Sequence, residues 1–159
     1  LQEELKAHAL TDPVTGLLNQ RGVMLALEPQ VARSRRYDSP MSVIMMEATT
    51  DQDSDALQLK VARLLKDQLR WADLVGCNDK REFILVLPET GPEASLKLIE
   101  KLQVLLDRMA EQLLDGENIA VDYGIAGWRR NDSAETLLDR ARSAVTRSCA
   151  GKNEHPVAL

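Results

Sequence analysis

Residues 69–88, LRWADLVGCNDKREFILVLP, contain the pattern that decides the fold. A short apolar run over 74–77 is followed by polar residues over 78–81. A nearly unbroken apolar run over 83–87 comes next, and Pro88 ends it. Two apolar runs joined by a polar turn that starts with asparagine predict a β-hairpin. Because the second run does not alternate with polar residues, it predicts a strand that is covered on both faces.

Composition limits the kinds of protein that this chain can be. Its 159 residues, 44% hydrophobic and 28% charged, predict one soluble globular domain with a substantial core. A net charge of −5 argues against broad nucleic-acid binding, so we expect no nucleic-acid partner. Cys77 and Cys149 lack metal-ligand or redox spacing, which favours two reduced thiols. The sequence has no membrane-spanning apolar run and no signal peptide, which favours a cytoplasmic domain, including the cytoplasmic part of a membrane-attached protein.

The order of apolar patterns predicts the fold class. Residues 1–10 predict a connector helix from an upstream sensory or membrane-attached domain, and 11–159 predict a single domain. Asn19 is a suitable cap for a first helix that runs to about Arg36, and Pro29 predicts a kink or break within that helix. From Met41 onward the patterns read strand, helix, strand, strand, helix, strand and closing helix. This order predicts an α+β, ferredoxin-like β-α-β-β-α-β core: a mostly antiparallel sheet flanked by helices.

Several charged positions have two interpretations when the residues alone are considered. The basic residues over 33–36 fit a solvated helix end better than a binding site, and Glu47 fits a solvated strand end better than a metal ligand. Lys80 and Arg81 fit a charged hairpin tip better than a partner contact. The pair Arg70 and Asp73, three residues apart, is common by chance and is typical of a weak surface ion pair.

Six short segments, taken in order, resemble the GGDEF family of diguanylate cyclase domains. They are 12–21 (DPVTGLLNQR), 42–47 (SVIMME), 70–73 (RWAD), 79–83 (DKREF), 87–90 (LPET) and 151–153 (GKN). The resemblance covers nearly the whole chain. It implies the nucleotide cyclase type of ferredoxin-like fold for the sheet derived above.

The resemblance also bears on catalysis. Family members condense two GTP molecules into cyclic di-GMP with the help of metal ions. Here the two signature glycines fall on Asp79 and Lys80, the acidic metal ligand falls on Arg81, and Glu47 stands where the family has an aspartate. We therefore expect a degenerate domain that is not an enzyme, with no catalytic residues, no metal ligands, no bound Mg²⁺ and no cofactor.

The segment RWAD falls on the inhibitory R-x-x-D site of the family, which implies that cyclic di-GMP is the ligand. Arginine can donate two hydrogen bonds to guanine O6 and N7 or stack on the base, and aspartate can accept from the guanine N1–H and amine. By the same resemblance Arg70 and Asp73 are the first ligand contacts. Lys101 falls where the family has a further arginine, and Arg33 is a more distant contributor.

Two functions from different classes remain open at this point. The first is a cyclic di-GMP receptor that relays the level of the second messenger to an attached domain or partner. The second is a nucleotide-independent interaction or dimerisation module whose partner is another protein or a second copy of the chain. A third function, residual GTP binding or slow cyclase activity, is the least favoured. Loss of ligand binding in Arg70→Ala, with the fold intact, would separate the first from the second.

Overall fold

The protein is described from a computed structural model, which covers residues 9–50, 54–113, 119–150 and 157–158. These residues form nine elements. In chain order they are α1 (Gln20–Tyr37), β1 (Met41–Thr49), α2 (Asp55–Gln68), β2 (Leu74–Cys77), β3 (Phe83–Pro88), α3 (Pro92–Leu113), β4 (Ala120–Gly127), α4 (Ala134–Ala150) and β5 (Val157–Ala158). The predicted connector helix lies outside the described residues over 1–8. None of the described helices is both long enough and apolar enough to span a bilayer.

The strands form one sheet in the order β2-β3-β1-β4-β5. Strand β1 is antiparallel to β3 on one side and to β4 on the other, and β2 is antiparallel to β3. This arrangement confirms the predicted β-α-β-β-α-β core with its mostly antiparallel sheet. The sequence patterns did not predict β5, which adds two residues parallel to β4 at the edge.

Each face of the sheet carries its own apolar core. On one face, α2 and α3 pack against side chains that include Ile44 of β1 and Phe83 of β3. On the other face, α1 and α4 pack against side chains that include Met45 of β1 and Ile84 of β3. Because successive strand residues point to opposite faces, β1 and β3 supply both cores, and the side chains over 41–46 and 83–87 are all buried. The prediction of a strand covered on both faces is confirmed.

Helix α1 begins as predicted but differs at its proline. The Asn19 side chain accepts a hydrogen bond from the Gly22 amide at 2.9 Å, which caps the helix. Of the two predicted effects of Pro29, a break is wrong, because the helix is continuous from Gln20 to Tyr37, and a kink stays a prediction. Pro29 lies on the exposed side, while Leu27 and Val31 on either side of it are buried in the core. This packing holds the helix together despite the hydrogen bond that proline cannot donate.

Helix α4 lies very close to strand β4 at Gly124. A methyl group at this position would meet the backbone of α4 at the Ala141 carbonyl oxygen and the Val145 nitrogen. Neither backbone atom can move without displacing the helix. The absence of a side chain at residue 124 therefore sets the distance between α4 and the sheet.

We predict that Gly124→Ala lowers the free energy of unfolding by about 1–3 kcal/mol, the usual penalty for overpacking a core. Gly91→Ala is the matched control, because a methyl group at Gly91 would meet no atom within 4 Å. Chemical denaturation of the two variants measures the difference. Equal stability of both variants would contradict the close approach of α4.

Three carboxyl groups meet near the end of β1. Glu47 lies opposite Asp122 of β4 in the sheet register, and the Glu82 side chain forms a hydrogen bond with it. Glu47 is half-buried rather than fully solvated. Burial raises the pKa of Glu47 above its ordinary value of 4.5, and the hydrogen bond and negative charge of Glu82 raise it further, followed by the charge of Asp122.

The raised pKa of Glu47 predicts a pH-dependent gain in stability for Glu47→Gln. A carboxyl group whose pKa is higher in the folded state stabilises the fold below its unfolded pKa, and this contribution is lost as the pH rises through the folded pKa. We therefore expect Glu47→Gln to raise Tm by about 1–2 °C at pH 7.5. The difference should disappear near pH 4. Thermal melts across this range measure it, and a Tm difference that does not change with pH would contradict the assignment.

Candidate functional site

The segment between α2 and β2 forms a tight turn. The Asp73 amide donates to the Arg70 carbonyl oxygen at 3.0 Å, and the Arg70 amide donates to Asp73 Oδ2 at 2.9 Å. One backbone–backbone bond and one backbone–side chain bond therefore close the turn. Arg70 and Asp73 are thus brought together as the sequence predicted.

The Arg70 guanidinium is held along one side by four acceptors. Its Nε donates to Asp73 Oδ2 at 3.3 Å, and its Nη2 donates to Asp73 Oδ1 at 3.1 Å. The same Nη2 lies 2.9 Å from the Pro88 carbonyl oxygen and 2.8 Å from Thr90 Oγ1. The hydrogen bond to Asp73, and then its charge, raise the pKa of Arg70 above its ordinary value, so the side chain is cationic at any physiological pH.

The two members of the pair differ in their access to solvent. The Arg70 side chain is 58% exposed, whereas the Asp73 side chain is 4% exposed. Among the residues that the structure describes, none accepts a hydrogen bond from Nη1 of Arg70, so its two N–H groups are available to a ligand. Both Asp73 oxygens, which the sequence assigned to a guanine edge, already accept from Arg70. In this structure Asp73 therefore positions Arg70.

The turn over residues 70–73, between α2 and β2, is called the Arg70–Asp73 corner below. A cavity of about 470 Å³ adjoins this corner. Its lining combines the charged pair with apolar and cationic side chains: Thr11, Gly16, Leu17, Leu18, Lys66, Leu69, Arg70, Trp71, Asp73, Leu74 and Val75. Sequence reasoning missed Lys66 and Trp71 as cavity residues. Trp71 lies inside the RWAD segment. This position is the sequence feature that could have identified it as a cavity residue.

The other two predicted ligand contacts lie elsewhere. Lys101 is exposed on α3, and Arg33 is exposed on α1. Neither lines the cavity beside Arg70. Of the remaining basic residues near Arg33, Arg35 donates from Nη2 to the Asp132 carbonyl oxygen at 2.8 Å and Arg36 lies over the Tyr37 ring. The structure thus brings Arg70 and Asp73 together and leaves Lys101 and Arg33 outside the pair.

The hairpin tip lies at the other end of β2 and β3. Asn78 organises it: its Oδ1 accepts from the Lys80 and Glu82 amides, both at 3.0 Å, and its Nδ2 donates to Glu82 Oε1 at 2.8 Å. Arg81 has φ +63°, in the left-handed region that favours glycine. The hairpin thus contains a backbone conformation typical of glycine at a position where the sequence has arginine.

Arg81 also contacts helix α2. Its Nη2 lies 2.8 Å from Asp55 Oδ1, and its carbonyl oxygen accepts from Gln58 Nε2 at 3.1 Å. A second cavity, of about 410 Å³, adjoins these contacts. In the part of the chain that the structure describes, no group of three or more histidine, cysteine, aspartate or glutamate side chains is arranged so that it could hold a metal ion. The residues present do not fit a typical metal site, and we derive no step through a metal ion.

Known proteins resemble this chain over most of its length. The diguanylate cyclase DgcP of Pseudomonas aeruginosa is 29% identical over 98% of the chain, which covers 25% of that protein. The diguanylate cyclase DosC of Escherichia coli K12 is 26% identical over 91% of the chain, which covers 34% of that protein. The chain therefore spans about a quarter to a third of the length of these relatives.

A solved structure has the same fold. The GGDEF domain of DgcB from Caulobacter crescentus, in complex with c-di-GMP, superimposes with a TM-score of 0.79 at 17% identity. The match covers 94% of this chain and 95% of that domain. At this level of identity the comparison establishes the fold.

These relatives correct one expectation. The replaced signature DKREF predicted a chain that is not an enzyme, but its relatives DgcP and DosC are named diguanylate cyclases. The expectation is wrong because relatives that match over 91–98% of the chain are named as cyclases, so replaced residue types in one signature do not decide against enzyme function. The Glu82 side chain is buried and hydrogen-bonded, and the backbone at Arg81 has the left-handed conformation.

The family model described as diguanylate cyclase, GGDEF domain, matches residues 9–155. This match includes both cavities, the hairpin and every strand from β1 to β4. The chain therefore belongs to the GGDEF domain family.

Proposed function

We propose that this GGDEF domain binds cyclic di-GMP at the Arg70–Asp73 corner and relays occupancy of the site to an attached domain or partner. One observation carries the proposal: four acceptor atoms hold Nε and Nη2 of Arg70, while the side chain is 58% exposed and borders a cavity. The domain of DgcB, which shares the fold, has c-di-GMP bound in its crystal structure.

The exposed parts of Arg70 suit a guanine nucleotide. The two N–H groups of Nη1 can donate to guanine O6 or N7 or to a phosphate oxygen, and the guanidinium plane can stack on a base. Asp73 is 4% exposed, so a direct contact with the guanine edge requires a local rearrangement that uncovers Oδ1, which accepts one hydrogen bond from Arg70. We therefore assign the first contact to Arg70, and Asp73 acts mainly by holding Arg70 in place.

The remaining cations have a supporting role in this proposal. Lys66 borders the cavity, where a lysine can pair with a phosphate as a point charge. Lys101 and Arg33 lie outside the cavity and are exposed, so they would act on the ligand phosphates over longer distances. Such attraction is screened by salt over about 8 Å at physiological ionic strength.

Both strands of the hairpin, β2 and β3, connect its tip to the Arg70–Asp73 corner. Strand β2 begins directly after Asp73, and β3 ends at Pro88, whose carbonyl oxygen accepts from Arg70. A ligand that engages Arg70 would therefore act on both strands at once. The named relatives are three to four times longer than the matched segment, which is consistent with attached domains that could receive the signal.

We predict that calorimetric titration with cyclic di-GMP gives micromolar or tighter binding and that Arg70→Ala weakens it at least about 30-fold. The loss of a charge-assisted hydrogen bond together with a stacking plane accounts for this factor. Arg108→Ala is the matched control, because it removes the same charge from an exposed position on α3. Titration with GTP and Mg²⁺ in parallel, with assay of the product, measures turnover separately from binding.

Arg70→Ala also removes the guanidinium donors from Asp73 and from the Pro88 carbonyl oxygen, which keep only the residue 70 amide and the Thr90 hydroxyl as partners, so its melting temperature is measured alongside. Arg70→Lys, which keeps a cation but loses the planar fork, should bind with intermediate affinity. A folded wild-type domain that gives no heat with cyclic di-GMP would contradict the proposal. The nucleotide-independent interaction module would then be the better description.

We predict that Lys101→Ala and Arg33→Ala each weaken binding by less than about fivefold at low salt, the effect of a screened, exposed charge. The difference in affinity between these variants and the wild-type domain should become smaller when the titration is repeated at high ionic strength. Arg70→Ala should keep most of its deficit under the same conditions. A loss in Lys101→Ala as large as that in Arg70→Ala would place Lys101 in direct contact with the ligand.

A further inference from the structure

Trp71 is the most exposed large apolar side chain among the residues that the structure describes. Its relative exposure is 97%, compared with 63% for the next, Tyr37. The turn closed by the Asp73 amide and the Arg70 carbonyl oxygen places Trp71 at its second position, where the side chain projects outward. Tryptophan normally stabilises a folded protein because its indole is buried. An indole that is exposed to water does not make this contribution.

The location of Trp71 matters more than its exposure, since single apolar residues on a surface are common. Trp71 follows Arg70 directly in the chain, and the two line the same cavity. The guanidinium of Arg70 is held in place by Asp73, Pro88 and Thr90. An exposed indole and a fixed hydrogen-bond donor therefore border the same cavity.

We propose that Trp71 is a further ligand-binding residue whose indole stacks on a guanine base that Arg70 holds by its edge. This inference rests on the proposed function, because it adds a contact to the same site. Stacking on an aromatic ring does not select a base, whereas the donors of Arg70 favour the acceptors of guanine. Trp71 would thus supply affinity and Arg70 specificity.

The chemistry of the cavity favours a purine nucleotide over a protein segment as the partner of Trp71. Lys66 and Arg70 place two cations at the cavity, which suits a phosphodiester ligand. The leucines that complete the lining, Leu17, Leu18, Leu69 and Leu74, present an apolar wall on which a base can pack. Cationic groups together with an aromatic face are the combination that proteins use for single-stranded nucleotides.

The test is calorimetric titration of cyclic di-GMP into the wild-type domain and three variants. Trp71→Ala should weaken binding by about 5- to 100-fold, the effect of losing one stacked base. Trp71→Phe, which keeps a smaller aromatic face, should lose less than Trp71→Ala. Tyr37→Ala is the matched control: it removes an exposed aromatic ring that does not line the cavity, and affinity should not change.

Intrinsic fluorescence gives a second, independent measurement. The chain has two tryptophans, Trp71 and Trp128, and Trp128 lines a different cavity and is only partly exposed. Saturating ligand should quench the emission of the wild-type domain and shift it to shorter wavelength as Trp71 leaves water. In Trp71→Phe this change should vanish, although calorimetry still detects binding.

The two proposals fail in different ways. Wild-type affinity in Trp71→Ala, with no change in emission on titration, would overturn the stacking inference while the Arg70 site stands. No binding by the wild-type domain would overturn both. Unchanged ligand affinity together with a loss of self-association in sedimentation of Trp71→Ala would assign Trp71 to a protein contact and would also overturn the inference.

Discussion

The burial of β1 on both faces and both edges is the constraint on which the structure depends. Its neighbours β3 and β4 satisfy its backbone hydrogen bonds, and the helices on each side cover its side chains. No polar side chain that has to reach a ligand can project from the middle of such a strand without losing its solvent. The charged residues that could act on a ligand are therefore found at strand ends and in the segments that connect the strands.

The edge pair β2 and β3 has two such ends, and each adjoins a separate cavity. At one end the Arg70–Asp73 turn enters β2 beside the exit of β3, and at the other end Asn78 organises the hairpin tip. Strands of four and six residues separate these ends by roughly 13–20 Å. The two ends share one backbone ladder, in which Leu74–Cys77 of β2 pair with residues 83–86 of β3.

Much of this arrangement could be predicted from the sequence. Uninterrupted apolar runs identified β1 and β3, and the order of patterns gave the sheet topology. The remainder depends on tertiary contacts that a pattern does not contain. Packing of Leu27 and Val31 overrode the helix-breaking tendency of Pro29, and β5 is too short to produce a periodic signal.

For the site, the spacing of Arg70 and Asp73 predicted their pairing. It could not show that Pro88 and Thr90 also accept from Arg70, because they belong to a segment 18–20 residues away.

The contacts of Arg70 also bear on how strongly such a site can bind. A free arginine on a surface loses about 2 kcal/mol of rotamer entropy when a ligand fixes it. Here the bonds to Asp73, Pro88 and Thr90 have already fixed the guanidinium, so folding rather than binding carries most of that loss. The burial of Asp73 strengthens this effect, because a carboxylate that is 4% exposed has few alternatives to its arginine partner. An arginine that uses one side of its guanidinium for the fold and leaves the other side open is therefore a better ligand contact than one with all its donors in water. In the proposed site, Asp73 would contribute to affinity by holding Arg70, without contact between its own oxygens and the ligand.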